Sequence, residues 1–536
     1  MCAVRTKRND LSPTGRLPPE IVSRIFSFHA INQPISRHRR CGAPPSSSNP
    51  IRLGKTWIIV TYVCHRWRQV ALADPNLWRT INFDLGAEWT QEMLARSKAA
   101  PISYSRKLSL PTRVSKRMLR MHLDDESHLR KHLSHVQRLA LSGDVESLAP
   151  AVRALTTPAP QLESLELLPT AFRSRQRCII LPSDLLAHNA PKLREINLSG
   201  CAVPWDSPLF RDLTHLNIHI PSFVPFPLTA QYDLLSIPTF ERLLSILEAM
   251  PSLQVLTLRG CLPPPKKSTG YVVPLRHMSK LSLDGSVSEV VAILERVSLP
   301  GSASLSLRCA DHNDGLLDTL VSLLASHFRA PDASISPLSR MFIGQADLAH
   351  PTMKVWDASP QSTGPLLHLT LRSSPMAVAE SFPRQVCKAL PLQDLHTLSI
   401  TYPNSLWSTA DWVDVCAHCP KITDLDIHTS WAFNLSLMLK NRKAFPSLDK
   451  LALSDADFLA SLSSGHTERF SEVFLESLRK RKNAGIPVRR VNLASCMVTR
   501  SWVVSLREVV NDVKWDFSED DFDSQQDDSG SYDSDE

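Results

Sequence analysis

From residue 135 onward one spacing recurs along the chain: an apolar residue, two others, an apolar residue, one other, an apolar residue. It reads as Leu162-x-x-Leu165-x-Leu167, Leu193-x-x-Ile196-x-Leu198, Leu213-x-x-Leu216-x-Ile218, Leu253-x-x-Leu256-x-Leu258 and Met278-x-x-Leu281-x-Leu283. It returns as Leu366-x-x-Leu369-x-Leu371, Leu395-x-x-Leu398-x-Ile400, Ile422-x-x-Leu425-x-Ile427 and Leu448-x-x-Leu451-x-Leu453, with weaker copies around Leu139, Leu305 and Val491. Apolar residues at alternate positions line one face of a strand, so each copy predicts one strand. Helical spacing fills the intervals. Phe240, Leu243, Leu244 and Leu247 sit at i, i+3, i+4 and i+7, Val287, Val290, Val291 and Leu294 do the same, and Leu316, Leu317, Leu320, Leu323 and Leu324 form another such face. Proline ahead of a strand, as at Pro251 and Pro420, stops each helix.

The N-terminal part of the chain carries a different pattern. Residues 16–29 predict a short helix opened by proline, with Ile21, Ile25 and Phe28 on one apolar stripe and Val22 and Phe26 on a second beside it. A second helix is expected over Trp57 to Leu72, with Ile59, Val60, Val63, Cys64, Trp67, Val70 and Ala71 inward. Asp74-Pro75 is a good N-cap and first-turn pair for a last short helix carrying Leu77 and Trp78. Three short helices cannot bury two apolar faces alone, so one face is an interaction surface or a join to a larger core.

Composition removes whole classes of chemistry. The chain has 536 residues and only 16 glycines, of which the closest pair, Gly260 and Gly270, lie ten apart. Dinucleotide fingerprints, phosphate loops and nucleophile elbows all need glycines two to five apart, and none of the three is present. H-E-x-x-H is absent, and Asp311-His312-Asn313-Asp314-Gly315 places its glycine one position too early for a calcium loop. No signal-peptide core or 18-residue apolar run occurs, and eleven scattered cysteines fit a reducing interior. Cys416-Ala417-His418-Cys419 is the single C-x-x-C; with no second ligand pair it reads as buried helix-end cysteines ahead of a metal site, and no cofactor is expected.

Leu17-Pro18-Pro19-Glu20-Ile21, Ile25-Phe26, Val63-Cys64-His65-Arg66-Trp67-Arg68, Ala71 and Leu77-Trp78 resemble the F-box, and Trp57-Ile58-Ile59-Val60-Thr61-Tyr62-Val63-Cys64 looks like its expanded fungal branch. The resemblance covers roughly residues 14–82. F-box proteins are substrate receptors of SCF ubiquitin ligases, in which the F-box docks on the Skp adaptor, and the adaptor on a cullin. The resemblance implies that Leu17, Pro18, Ile21, Ile25, Phe26, Val60, Val63, Cys64, Trp67, Leu77 and Trp78 lie at or directly behind the adaptor surface; Trp67 stands equally as a core residue holding the helices together. Residues 31–56 depart from the family's tighter connection. They are rich in Pro and Ser, carry Arg37, Arg39, Arg40, Arg52 and Lys55 and no acid, and read as a solvated insert, a basic contact or a gene-model artefact.

The recurring copies, mostly 20 to 31 residues apart with gaps of 40 and 64 that mark insertions or a missed copy, resemble leucine-rich repeats of the F-box type. The expected fold is therefore α/β: a disordered 1–13, an F-box over 14–85, a linker or first degenerate repeats over 86–134, an irregular leucine-rich-repeat solenoid over 135–515 and a disordered acidic tail over 516–536. In such a repeat the residues beside the leucines line the binding face. Here they include His215, Asn217, His219, Arg259, Lys280, Arg308, His368, Thr370, Arg372, His428 and Arg490, a cationic mix that points to an acidic or phosphorylated substrate segment, a solvated face being the alternative at each position.

Charge sharpens the division. The formal +7 is the sum of +17 over residues 1–515 and −10 over 516–536, whose ten carboxylates are unaccompanied by Lys or Arg. That tail reads as a solubility element, as a target of acid-directed phosphorylation at Ser518, Ser524 and Ser534, or as an intramolecular competitor for the cationic face. Arg479-Lys480-Arg481-Lys482 reads as a helix-closing cap or a nuclear import signal. The combined expectation is a non-catalytic substrate-recognition subunit of an SCF-type ligase, cytoplasmic or nuclear, with no membrane or nucleic-acid partner. Its rival is a leucine-rich scaffold or inhibitor acting outside a ligase.

Overall fold

The structure is a computed structural model that describes residues 13–33, 56–108, 129–171, 178–221, 237–266, 270–310, 314–329, 336–346, 350–359, 364–372, 376–401, 409–428, 432–441, 443–459 and 469–516. It is a mixed α/β protein dividing into two compact units, residues 1–263 and 264–536. Of the stretches expected to be disordered, 1–13 and 516–536, all but Pro13 and Asp516 lie outside the described residues, as do residues 34–55 of the insert.

The first unit opens with helix α1 (Pro19–Asn32), a 3₁₀ helix over Trp57–Tyr62, α2 (His65–Ala73) and a 3₁₀ turn over Pro75–Trp78. Two boundaries differ from expectation. Helix α1 starts at Pro19 because Pro18 and Pro19 each hold the preceding residue extended, leaving Thr14–Arg16 as a separate turn. The single helix expected over Trp57–Leu72 is two elements: Cys64 is extended, and its Sγ accepts the Trp67 N–H at 3.4 Å as the N-cap of α2. The run Val60-Thr61-Tyr62-Val63, with three β-branched residues, disfavours a continuous α-helix there. The expected Asp74 cap is present, its carboxylate accepting the Asn76 N–H at 2.9 Å.

After these elements come β1 (Thr80–Asn82), α3 (Ala87–Ser97), β2 (Ile102–Leu108), β3 (Val136–Asp144), α4 (Val145–Arg153), β4 (Ser164–Ala171), β5 (Ile179–Ile180), β6 (Glu195–Ser199), β7 (Cys201–Ala202), β8 (His215–His219), α5 (Phe240–Glu248) and β9 (Val255–Arg259). Strands β1, β2, β3, β4, β6, β8 and β9 form one parallel sheet in that order, while β5 and β7 pair separately. The sheet thus begins at residue 80, well before the first recognisable copy of the spacing. Its leucines run in register: Leu139, Leu165, Ile196, Leu216 and Leu256 are successive partners, all buried. Each such side chain is worth roughly 1.5–3 kcal/mol removed from water.

The second unit holds β10 (Val273–Pro274), β11 (Lys280–Ser286), α6 (Val287–Leu294), β12 (Val297–Ser298), β13 (Ser304–Ala310), α7 (Asp314–Arg329), β14 (Leu338–Ala346), β15 (His350–Asp357), β16 (Leu367–Leu371), α8 (Met376–Ala389), β17 (Thr397–Thr401), α9 (Thr409–His418), β18 (Asp424–His428), α10 (Ala432–Leu439), β19 (Lys450–Ser454), α11 (Phe470–Asn483), β20 (Arg490–Ala494), α12 (Arg500–Val509) and β21 (Asp512–Trp515). The sheet order is β11, β13, β16, β15, β14, β17, β18, β19, β20, β21. All neighbours are parallel except β15, which is antiparallel to both β14 and β16. The 64-residue gap in the spacing is this insertion. It contains a missed copy, Leu338-x-x-Met341-x-Ile343, whose Met341 pairs with Leu398. Helices α6 to α12 pack in a row, each against the next, on the side of the buried leucines.

Residues in the left-handed region follow several strands directly: Gly200 after β6, Gly260 after β9, Asp455 after β19 and Ser495 after β20. At Gly260 the reason is steric as well as conformational, since a Cβ would stand 2.2 Å from the Ile220 carbonyl oxygen. Helix starts are capped where the chain leaves the sheet. Asp144 accepts the Ser147 N–H at 2.9 Å, and Ser286 and Glu289 form a reciprocal capping box on α6. Among the described residues no helix is long and apolar enough to cross a membrane.

Candidate functional site

Helix α1 sorts its two apolar stripes. Val22 and Phe26, 2% and 1% exposed, pack inward, whereas Ile21 at 45% and Ile25 at 49% face solvent together with Phe28 and Ile31. The stripe 21, 25, 28, 31 follows helical spacing and is left open because the inward stripe already meets α2. The Phe26 and Trp67 rings meet edge to face at 5.1 Å, and Trp57 meets Trp78 likewise at 5.1 Å. Hydrogen bonds tie the ends together: the Ser23 hydroxyl donates to the Asp74 carboxylate, an Arg66 guanidinium N–H to the Leu17 carbonyl, and Trp78 Nε1 to the Ala71 carbonyl at 2.8 Å.

The eleven residues expected at the adaptor surface therefore divide. Pro18, Ile21, Ile25 and Val63 are exposed; Leu17, Cys64 and Trp67 are half-buried; Phe26, Val60, Leu77 and Trp78 are core. Ile59 and Val63, expected inward, are exposed, because the break at Cys64 rotates the 3₁₀ segment relative to α2. Ile31, Ile59 and Tyr62 extend the exposed apolar set. A cavity of about 190 Å³ opens beside Ile31, lined also by Ala30, Trp57, Leu77 and Arg79.

The second candidate surface is the sheet face opposite the leucines. In the first unit it carries His215, Asn217 and His219 on β8 and Arg259 on β9, with His219 and Arg259 in register. His219 Nδ1 lies 3.4 Å from the Ser199 hydroxyl. In the second unit it carries Lys280, Arg308, His368, Thr370 and Arg372, then His428 and Arg490. Several of these side chains hold carboxylates of the chain itself. Arg372 pairs with Asp284 at 2.7 Å, His428 with Asp455 at 2.8 Å and Arg490 with Asp449 at 2.6 Å. Thr370 is buried against Thr352, their hydroxyls 3.2 Å apart. Lys280 and Arg308 are exposed, with no carboxylate partner among the described residues. Two basic residues that the spacing does not single out join this face: Arg340 stacks over Trp356 at 4.3 Å and Lys354 over Phe342 at 5.7 Å.

The paired cysteines and the basic run have structural settings. Burial pushes the Cys416 and Cys419 thiols up to about 12, and Cys416 Sγ contacts Met438 Sδ at 3.8 Å. Among the described residues no group of three or more His, Cys, Asp and Glu stands close enough to hold a metal ion. In the run 479–482, which closes α11, Arg481 is buried and donates to the carbonyls of Ala444 at 2.8 Å and Phe445 at 2.7 Å. Lys480 pairs with Glu476, and Lys482 donates to the Glu508 carbonyl at 2.9 Å. No protein-family model matches the chain, and no curated protein matches it.

Proposed function

We propose that the chain is a non-catalytic substrate receptor of an SCF-type ubiquitin ligase. Residues 14–85 would dock the Skp adaptor as an F-box, and the strand-helix units would hold a protein substrate as a leucine-rich-repeat solenoid. The observation that carries the reading is the open row Ile21, Ile25 and Phe28 on a helix whose other apolar row is already buried. A second helix face kept apolar in water calls for a partner. The order Leu17-Pro18-Pro19-Glu20-Ile21 leading into that helix is what makes the adaptor the partner of choice. The mechanism is positional: the N-terminal helices hold the ligase, the strand-helix units hold the substrate, and proximity raises the rate of ubiquitin transfer by the other subunits.

The rows of registered leucines and the sequential packing of α6 to α12 support the repeat reading. Affinity purification of the full chain tests the proposal. Recovery of the adaptor together with a cullin is the expected result; recovery of other proteins without either supports the scaffold reading instead.

A further inference from the structure

On the sheet face of the second unit, positive charge gathers on strands β13, β15 and β14, with β16 lying between β13 and β15. Arg308 on β13, Lys354 on β15 and Arg340 on β14 have no carboxylate partner among the described residues, and His368 on β16 stands in register with Lys354. Two aromatic rings are interleaved with them, Trp356 under Arg340 and Phe342 under Lys354. The carboxylate in register with Arg308, Asp284 on β11, is held by Arg372. Beyond β14 the pattern changes: Lys450 lies 4.0 Å from Asp424, Asp426 accepts the Ser399 hydroxyl at 3.1 Å, and His428 and Arg490 are paired.

The sequence contains one segment of complementary character. Residues 517–536 hold nine carboxylates, no Lys or Arg, and the aromatic residues Phe517, Phe522 and Tyr532. The segment follows β21, which is five strand steps from β14 in the sheet order. At about 4.8 Å per step that is roughly 24 Å, and β13 is about 38 Å away. Twenty extended residues reach at most about 70 Å, so the segment is long enough to span the strip. Tethering through a short linker supplies an effective concentration in the millimolar range, enough to occupy a surface of modest intrinsic affinity.

We propose that the acidic segment 517–536 docks in cis on the cationic and aromatic strip of Arg308, Lys354, Arg340, Phe342 and Trp356. The contact is autoinhibitory, because a trans ligand for the strip must displace the segment. It requires neither the adaptor nor a substrate, so it stands or falls separately from the ligase reading.

The test is a fluorescence-anisotropy titration with a labelled synthetic peptide of residues 517–536. It compares the full chain with a full-length variant whose nine carboxylates in 519–536 are changed to amides. The variant is expected to bind the peptide at least about tenfold more tightly than the unmodified chain, with binding that weakens as salt rises. Lys354→Glu with Arg340→Glu in the amide background is expected to abolish binding. Should those reversals lower the melting temperature, Lys354→Gln with Arg340→Gln is the comparison, and a loss of at least about fivefold is expected. Equal peptide binding by the two chains, no binding by the amide variant, or binding indifferent to both substitutions overturns the proposal.

Discussion

Phe26 and Trp67 meet edge to face with ring centroids 5.1 Å apart, and this contact separates what holds the N-terminal helices together from what they offer a partner. Phe26→Ala removes a fully buried ring and is expected to cost about 3–5 kcal/mol. Ile21→Ala and Ile25→Ala remove exposed side chains and are expected to stay within about 0.5 kcal/mol. Denaturant melts followed by tryptophan fluorescence check both; equal costs would show that the outward stripe is structural.

Arg481 is expected to behave as a core residue despite its charge. Its two guanidinium bonds satisfy the carbonyls of Ala444 and Phe445, both residues being buried. Arg481→Ala leaves those acceptors unpaired and is expected to destabilise the second unit by about 2–5 kcal/mol. Arg481→Lys should recover only part of this, since one ammonium does not reproduce the planar two-pronged geometry. Thermal melting of the two variants measures the difference.

Gly260 is expected to tolerate no side chain. Its φ of +65° and the 2.2 Å approach to the Ile220 oxygen together make Gly260→Ala destabilising by more than about 1 kcal/mol, whereas Gly270→Ala, with open space around the Cβ, bears only the conformational cost. Parallel denaturant midpoints for the two variants check this.

Stability is expected to fall on mild acidification. Burial holds the imidazoles of His327 and His135 below the usual value of 6.5, and the bond from His327 Nε2 to the Ala303 carbonyl at 3.2 Å offsets this only in part. The unfolded chain therefore takes up protons first as pH falls, so this stability is present above about 6.5 and is lost as pH falls from there to the lower folded values. Urea midpoints at about pH 7.5 and about pH 5.5 report the loss, and His327→Gln is expected to reduce the slope.

The strands were legible because a sheet packed on one face demands apolar residues at alternate positions, and Leu165 with Leu167 or Leu425 with Ile427 meet that demand in plain view. Strand β14 meets the same spacing with Leu338, Met341 and Ile343, and nothing local marks the reversal of direction at β15. The break at Cys64 was hidden by a periodicity that suits one helix as well as two short elements. On the sheet face, residue positions were readable but their partners were not: Asp284, Asp449 and Asp455 are brought to Arg372, Arg490 and His428 only by the pairing of distant strands.

The central claim is adaptor docking through the outward face of α1. Calorimetric titration of the full chain with purified Skp adaptor measures it directly, alongside the double variant Pro18→Ala with Ile21→Ala. Two hot-spot side chains at about 2 kcal/mol each predict roughly a thousandfold weaker binding for the variant, at an unchanged melting temperature. Absence of binding by the unmodified chain, or equal binding by the two, would contradict the account.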